Sequence, residues 1–461
     1  MTTNNEFNDE KCLAISEKVE PLVISEVDHP IRRHDFDKEA LKVLYRLRDA
    51  GYSGFLVGGG VRDLYMGKYP KDFDISTNAR PGQLRKLFRN SRTIGRRFRL
   101  VQVFFRGGKI IEVSTLRSQS EYDIDGVDKI LPCNNTYGTP GEDAFRRDLT
   151  INALFYEVEH NTIIDYVGGV QDLDRGVVRI IGEPDRRVVR DPVRIMRAVR
   201  HAARNGFRIE NATWEAIVKN RDKLDLCPPS RIRDELLKDL SGGKSEPWAR
   251  ICLECQMFFT LFPFYRDILS RDSQHHVQEK LFSLLRVIDR LHNTSSHDYQ
   301  IELPDYFILA VLLLPWAEDR FDLMNQHLKG RAHYTLSRKI RADLDDVLGE
   351  RLSLKRMAKE AMTTLLLNLP SFTQYQGKKS WPRWLRGKSY FSDCFRFYNL
   401  VSEAGGGDLV DDDLFRNTSG RRSREAAGFS GRSGFRNNGR RRRSRPAFSD
   451  RKKGVFGLRR N

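Results

Sequence analysis

Two carboxylates one residue apart, Asp72 and Asp74, stand in Pro70-Lys-Asp-Phe-Asp-Ile, ten residues beyond Arg62. On a strand, residues i and i+2 project to one face. Two carboxylates so placed repel each other unless a cation lies between them. Hard oxygen ligands beside a phosphate suit magnesium, and a pair of such ions can activate an attacking hydroxyl and stabilise a leaving phosphate oxygen. The phosphate holder is close by in Leu56-Val-Gly-Gly-Gly-Val-Arg-Asp63. A glycine turn between a strand and a helix lets backbone N–H groups of Gly58 and Gly59 approach a phosphate, with the helix N-terminus adding its partial charge. Arg62, on the first helical turn, can reach the same group. Taken alone, the glycines are also a tight strand–helix connection and the D-x-D a solvated strand end. Their adjacency favours phosphoryl chemistry.

Positioning these side chains requires a mixed α+β unit. The spacing of Leu41, Val43, Leu44 and Leu47 predicts a helix over 40–50. Strands are expected at 54–57 and 73–75 around the glycine turn and a short helix over 61–66, followed by a helix at 81–89. Paired strands are expected at 100–105 and 109–115, a polar mobile loop at 118–143, and strands at 149–158 and 162–166. From there the pattern is helical, with amphipathic stretches at 192–204, 212–220 and 231–240, the last with Ser230 as N-cap.

The segment Leu56 to Thr77 resembles the head-domain signature of the class II nucleotidyltransferases, the bacterial poly(A) polymerases and CCA-adding tRNA nucleotidyltransferases. The resemblance continues through Arg146-Arg-Asp-Leu-Thr-Ile-Asn-Ala153, Asp165-Tyr-Val-Gly-Gly169 and Asp191-Pro-Val-Arg-Ile-Met-Arg-Ala-Val-Arg200. It is strong over 36–240 and weaker beyond. It implies that Asp72 and Asp74 ligate two catalytic Mg2+ ions and that Asp148 is the third catalytic acid, with Glu112 in Ile110-Ile-Glu-Val-Ser-Thr-Leu-Arg117 as the competing choice. It further implies that Gly58, Gly59, Arg62 and Arg147 contact the nucleotide's phosphates or ribose, and that Asp191 and Arg194, with Arg197 and Arg200 beside them, face the incoming base. A carboxylate accepting from an exocyclic amine and a guanidinium donating to the adjacent ring nitrogen imitate a Watson–Crick edge. Asp191 and Arg194, at i and i+3, share a helix face. Cytosine offers the same pattern, so the pair does not by itself separate ATP from CTP. One departure stands here: the family's acidic residue before this Asp is Arg190.

Gly95-Arg-Arg-Phe-Arg-Leu-Val-Gln-Val103 resembles the G-R-R-F-x-L segment of the poly(A) polymerases, with Gln102 where their pattern has His. The expected activity is thus template-independent polyadenylation of RNA 3′ ends from ATP with release of pyrophosphate, marking RNAs for decay with a possible link to RNA-decay machinery. The alternatives are a CCA-adding enzyme using CTP and ATP, or a catalytically silent RNA-binding protein of the same fold.

Charge supports an RNA partner. The chain of 461 residues carries +18 at pH 7. Between Arg416 and Asn461, 16 Lys/Arg stand against Glu425 and Asp450, so +14 of the excess lies there. Phe429, Phe435, Phe448 and Phe456 interleave with those arginines, a composition suited to loose attachment to single-stranded RNA. Six scattered cysteines fit a reducing cytoplasm. The lone Cys252-Leu-Glu-Cys255 has no second pair and reads as core packing. The polar start shows no signal pattern, and the longest apolar run, Tyr306 to Trp316, is too short for a membrane span. The expected organisation is a flexible leader (1–30), an α+β nucleotidyltransferase head (31–170), a helical neck (171–243), a helical body (244–404) and a disordered basic tail (405–461).

Overall fold

The computed structural model describes residues 20–95, 99–118, 137–294, 301, 303–325, 330–376 and 380–416. The N-terminal third is one eight-stranded mixed sheet built from β1 (Leu22–Ile24), β2 (Gly54–Val57), β3 (Ile75–Thr77), β4 (Ser91–Ile94), β5 (Leu100–Phe104), β6 (Ile110–Thr115), β7 (Phe155–Glu157) and β8 (Thr162–Asp165), in spatial order β1-β8-β7-β2-β3-β6-β5-β4. Only β3 and β6 run parallel; every other pair is antiparallel. Three helices belong to its first half: α1 (Lys38–Asp49), α2 (Gly59–Tyr65) and α3 (Pro81–Leu87). Asp37 caps α1 by accepting from the amides of Glu39 and Ala40. Ala40, Val43, Leu44 and Leu47 of α1 are buried, and α1 packs on β2.

Three sequence expectations differ from this structure. Leu22–Ile24 is not flexible leader but an edge strand, in register with Asp165, Ile164 and Ile163. The run 149–158 is not one strand: residues Thr150–Asn152 make a 3-10 turn before β7. Asp165 explains the turn beyond β8, since its carboxylate accepts from the amides of Val167, Gly168 and Val170. Gly169 then lies so close to the Thr150 carbonyl that a Cβ would stand 2.3 Å from it. Part of the expected polar loop is helical: α4 (Pro140–Phe145) is capped by Thr139, which accepts from the amide of Glu142, whose own carboxylate returns to the Thr139 amide. Residues 119–136 lie outside the described residues.

The neck follows as α5 (Gly169–Asp174), α6 (Pro184–Arg190), α7 (Val193–Asn205), α8 (Asn211–Asn220) and α9 (Pro229–Leu240), with a two-stranded parallel ribbon, β9 (Val177–Val178) and β10 (Arg208–Ile209). Helix α9 starts at Pro229 with Pro228 before it and no side-chain cap. Ser230 therefore sits inside the first turn, because proline at the first helical position needs no donor there.

The body comprises α10 (Ser245–Glu254), α11 (Met257–Leu261), α12 (Tyr265–Arg271), α13 (His276–Asn293), α14 (Asp305–Phe321), α15 (Gly330–Leu344), α16 (Arg356–Thr373), α17 (Arg383–Arg386) and α18 (Phe391–Ala404). The apolar run Tyr306 to Trp316 lies in α14, whose neighbours are α13 and α16, and from Phe307 to Ala317 it is buried throughout. No helix among the described residues is long and apolar enough to cross a membrane. Cys252 and Cys255 are buried, and the Cys255 thiol donates to the Cys252 carbonyl. Folded structure runs past the triple glycine to residue 416: Val410 and Phe415 are buried, and Arg290 joins Glu403 to Asp412. The basic stretch beyond residue 416 lies outside the described residues.

Candidate active site

The glycine turn connects β2 to α2. Gly58 has φ +68°, a left-handed value that favours glycine, and its amide donates to the Leu154 carbonyl. A Cβ there would stand 2.9 Å from Arg147 Nη1, so the bare backbone lets that guanidinium lie against the turn. Arg147 is held from the other side by Asp143, at 2.9 Å, and Nη1 donates to the Asn152 carbonyl. Its guanidinium also sits over the Phe155 ring at 5.3 Å. Arg62 is almost fully buried. It donates to Asp63 at 2.7 Å and to Asn152 Oδ1 at 2.5 Å, which aims it along the first turn of α2, beneath Gly59.

The acidic residues precede β3 rather than lying within it, because the ladder with β2 begins at Ile75. The extended alternation already holds at Asp72 and Asp74: both are exposed while Phe73 between them is buried. The Asp74 carbonyl accepts from the Val57 amide, which ties the pair to the strand leading into the glycine turn. Glu112 enters from β6. The parallel register pairs Ile75 with Val113, so Asp74 and Glu112 are laterally adjacent. Gln102, opposite Glu112 on β5, donates to its Oε1 at 2.9 Å. Although the Asp74 side chain meets solvent, the protein packed around it strips away enough water to push its carboxyl up to about 6, with the charges of Glu112 and Asp72 adding to this and Arg147 pulling the other way.

This donor set fits a hard divalent cation. Among the described residues neither the Asp72 nor the Asp74 side chain has a hydrogen-bond or ion-pair partner, so only the Arg147 charge, acting without direct contact, offsets their mutual repulsion. Nor does any group of three His, Cys, Asp or Glu side chains among the described residues form a ready cage. Magnesium is commonly bound by one or two carboxylates with water and substrate phosphates supplying the rest, and two bare carboxylates next to a phosphate-sized turn meet that demand.

Asp148 is placed differently. Its carboxylate pairs with Arg197 at 3.0 Å and accepts from the Leu149 amide. Burial alone would raise its pKa, but Arg197 and Arg194 outweigh it and hold Asp148 down at about 2. It thus belongs to the charge network of α7, and the acid that bears on Asp74 is Glu112.

Helix α7 carries Arg194, Arg197 and Arg200, whereas Asp191 stands before it as the residue that ends α6, so Asp191 and Arg194 do not share a helix face as their spacing predicts. Arg194 donates from Nη1 to the Arg147 carbonyl at 2.9 Å and from Nη2 to the Arg146 carbonyl at 3.3 Å, leaving Nε turned to Asp191 at 4.0 Å. Asp191 is gripped by Arg231 of α9, at 2.9 and 3.0 Å. Arg200 is not brought to this group. It is buried between Glu235, at 2.5 Å, and Asp239, both on α9. Helical geometry explains the split: at about 100° per residue, Arg197 lies about 60° from Arg194, Arg200 about 120° away, and His201 only about 20° away.

His201 is the residue that reasoning from sequence missed. It is half-buried, its Nδ1 takes a contact from Arg62 Nη1 at 3.2 Å, and its Nε2 meets Asn152 at 3.2 Å. Burial and then the Arg62 charge push it down to about 3, so it stays neutral at physiological pH. Arg231 was missed too, as was Asn152. Only the i+7 spacing from Arg194 to His201 hints at a shared face. Pairing across helices leaves no local trace.

Arg96, Arg97 and Phe98, which separate the two enzyme types by resemblance, lie outside the described residues.

Comparison with known proteins adds three findings. The family model "Poly A polymerase head domain" matches residues 54–179, and "Probable RNA and SrmB- binding site of polymerase A" matches residues 206–269. The chain is 39% identical over 371 residues to Poly(A) polymerase I of Escherichia coli O6:H1, covering 78% of this chain and 77% of that one. It is 37% identical over 220 residues to the CCA-adding enzyme of Lactobacillus helveticus, covering 48% and 54% respectively. Among solved structures, a tRNA nucleotidyltransferase complexed with a primer tRNA and an incoming ATP analogue superposes with a TM-score of 0.54 at 20% identity, over 84% of this chain and 99% of that one.

Proposed function

The chain belongs to the poly(A) polymerase family of nucleotidyltransferases, and from that premise we propose how its residues carry template-independent addition of adenylate from ATP to RNA 3′ ends, with pyrophosphate released. The observation that supports the site most directly is the pair Asp72–Asp74, which has no hydrogen-bond or ion-pair partner among the described residues, with Glu112 beside Asp74 and the Gly58 turn tied to the same strand.

The backbone at Gly58 and Gly59, with Arg62 and Arg147, cradles the triphosphate. Asp72, Asp74 and Glu112 form the acidic face, and Gln102 orients Glu112. Asp72 and Asp74 would hold two magnesium ions, which would supply charge neutralisation for the triphosphate and activation for the 3′-hydroxyl. The protein's own contribution is positioning and fixed charge. Asp191 accepts from the adenine amine and Arg194 Nε donates to the neighbouring ring nitrogen, while Arg231 steadies Asp191. Asp148 acts one step back: it fixes Arg197 and, through the charge network of α7, the base-reading face. A cytoplasmic site of action and a link to RNA decay complete the proposal.

The ATP-only reading rests on the extent of likeness: the poly(A) polymerase relative is matched over 77% of its length and the CCA-adding relative over 54%. The deciding assay offers each of the four NTPs with a generic oligoribonucleotide and with tRNA lacking its 3′ end. Long homopolymer tails from ATP alone are expected. Short, self-terminating addition from CTP would overturn the assignment in favour of CCA addition, and no incorporation at all would leave a silent RNA binder.

A further inference from the structure

The body carries two exposed aromatic side chains with unmatched positive charge around them. Trp384, 54% exposed, sits on the short helix α17 between Arg383 and Arg386, with Lys388 two residues beyond. Its ring meets Tyr375, just past the end of α16, with centroids 6.4 Å apart. Tyr334, 64% exposed, lies on the first turns of α15 beside Arg331. All four cations are exposed, and none has a carboxylate partner among the described residues. The nearby acids in sequence are engaged elsewhere: Asp322 accepts from Asn325, and Asp393 accepts from Tyr306 and pairs with Arg396.

The two clusters occupy one end of the body. Helices α15 and α16 pack together, and Arg341 meets Glu360 at 3.7 Å close to their connection, so the pair is an antiparallel hairpin. Ten residues back along α15, about 15 Å, brings Arg331 level with Pro370, near the end of α16 that leads to Tyr375 and Trp384.

A flat indole and a phenol ring flanked by guanidinium and ammonium groups match one chemistry closely: bases stack on the rings while the cations take the phosphates, without regard to sequence. We infer that this end of the body grips single-stranded RNA upstream of the 3′ end being extended. The inference rests on reading the chain as an RNA-tailing enzyme. It adds a contact outside the matched head and RNA-binding segments, made only by primers long enough to reach it.

The test uses the full chain and oligoadenylate primers of about 8 and about 30 nucleotides, with KM and kcat for AMP transfer measured separately. The variant Arg383→Ala/Trp384→Ala/Arg386→Ala is expected to raise KM for the long primer about tenfold and to flatten its salt dependence by about one unit of slope. Its kcat on both primers and its KM for the short one should stay unchanged. Trp384→Phe, which keeps a stacking face, should retain most of the long-primer advantage. An unchanged long-primer KM overturns the inference, as does an equal loss on both primers. Lost binding to phosphatidylglycerol vesicles with RNA kinetics intact would assign the patch to an anionic membrane surface and likewise overturn it. Absence of AMP transfer by the unaltered protein would instead strike the polymerase reading itself.

Discussion

At the scale of single residues, the acidic pair trades stability for chemistry. A folded-state pKa of about 6 for Asp74, against an ordinary 3.8, means the ionised form is penalised by folding. A raised carboxyl pKa costs stability as pH climbs through that range, so the penalty is absent near pH 4 and complete above about pH 7. Asp74→Asn should therefore lose most AMP incorporation yet melt higher than the parent at pH 8, with the difference vanishing near pH 4. Thermal melts across pH, in the absence of metal, check this; a lower melting temperature at pH 8 would contradict it. His201 makes the complementary case. Held neutral by burial, it should contribute no limb to the pH–rate profile above pH 5. Its removal in His201→Ala frees Arg62 from one of its supports, and the loss of one buried hydrogen bond, about 1–1.5 kcal/mol, should raise KM for ATP about tenfold with kcat little changed. A fall in kcat at constant KM would place His201 in a different role.

At the scale of elements, α7 does two jobs on two faces. One face holds Arg194 and His201 toward the head and the other carries Arg200 into the seam with α9, with Arg197 between them, pairing with Asp148 and reaching Glu235 of α9 at 3.5 Å. Arg200 pulls Glu235 down to about 2 against the effect of burial, while Asp239, deeper in the same seam, is pushed up to about 7 by burial. Truncating the arginine would leave Asp239 buried without its ion-pair partner, while Glu235 keeps Arg197 and Lys238, so Arg200→Ala should destabilise the protein by about 3 kcal/mol in urea unfolding. A loss below 1 kcal/mol would show that the seam tolerates it. This division marks how far sequence reasoning reaches. Asp72 and Asp74 were legible because period-two spacing is local, and Arg62 because it follows a glycine turn within one helical turn. Arg200 looked equivalent to Arg194 because both lie in one basic run, and only the helical angle and the partner helix tell them apart. Glu112 against Asp148 was likewise undecidable from spacing, since the parallel pairing of β3 with β6 spans about 40 residues of chain. The edge strand β1 escaped notice because three apolar residues carry too little pattern. The helix boundaries, set by caps and periodicity, were readable to within a residue or two at 38–49 and 193–205.

At the scale of the whole molecule, charge is segregated. The folded unit is nearly neutral in balance, and the stretch after Arg416 holds most of the excess. Arg416 itself belongs to the fold: it pairs with Asp413 and bridges to Ile301, so a clean truncation begins at Asn417. Deleting 417–461 should weaken RNA binding and reduce its dependence on salt, while single-nucleotide addition survives. An unchanged slope of log affinity against log salt would deny the tail a part in RNA capture.

Arg194 ties α7 to the segment after α4 with one side chain. Its guanidinium hydrogen-bonds the carbonyls of Arg146 and Arg147, and Arg187 of α6 donates to the Arg147 carbonyl as well. The segment proposed to cradle phosphate and the helix proposed to read the base are therefore laced together through main-chain oxygens, which any side-chain sequence can offer. A neck transplanted from a relative onto this head would keep its alignment provided those two arginines travel with it, whatever else differs. If the proposed base-reading face is right, nucleobase preference would pass between such enzymes as a single block.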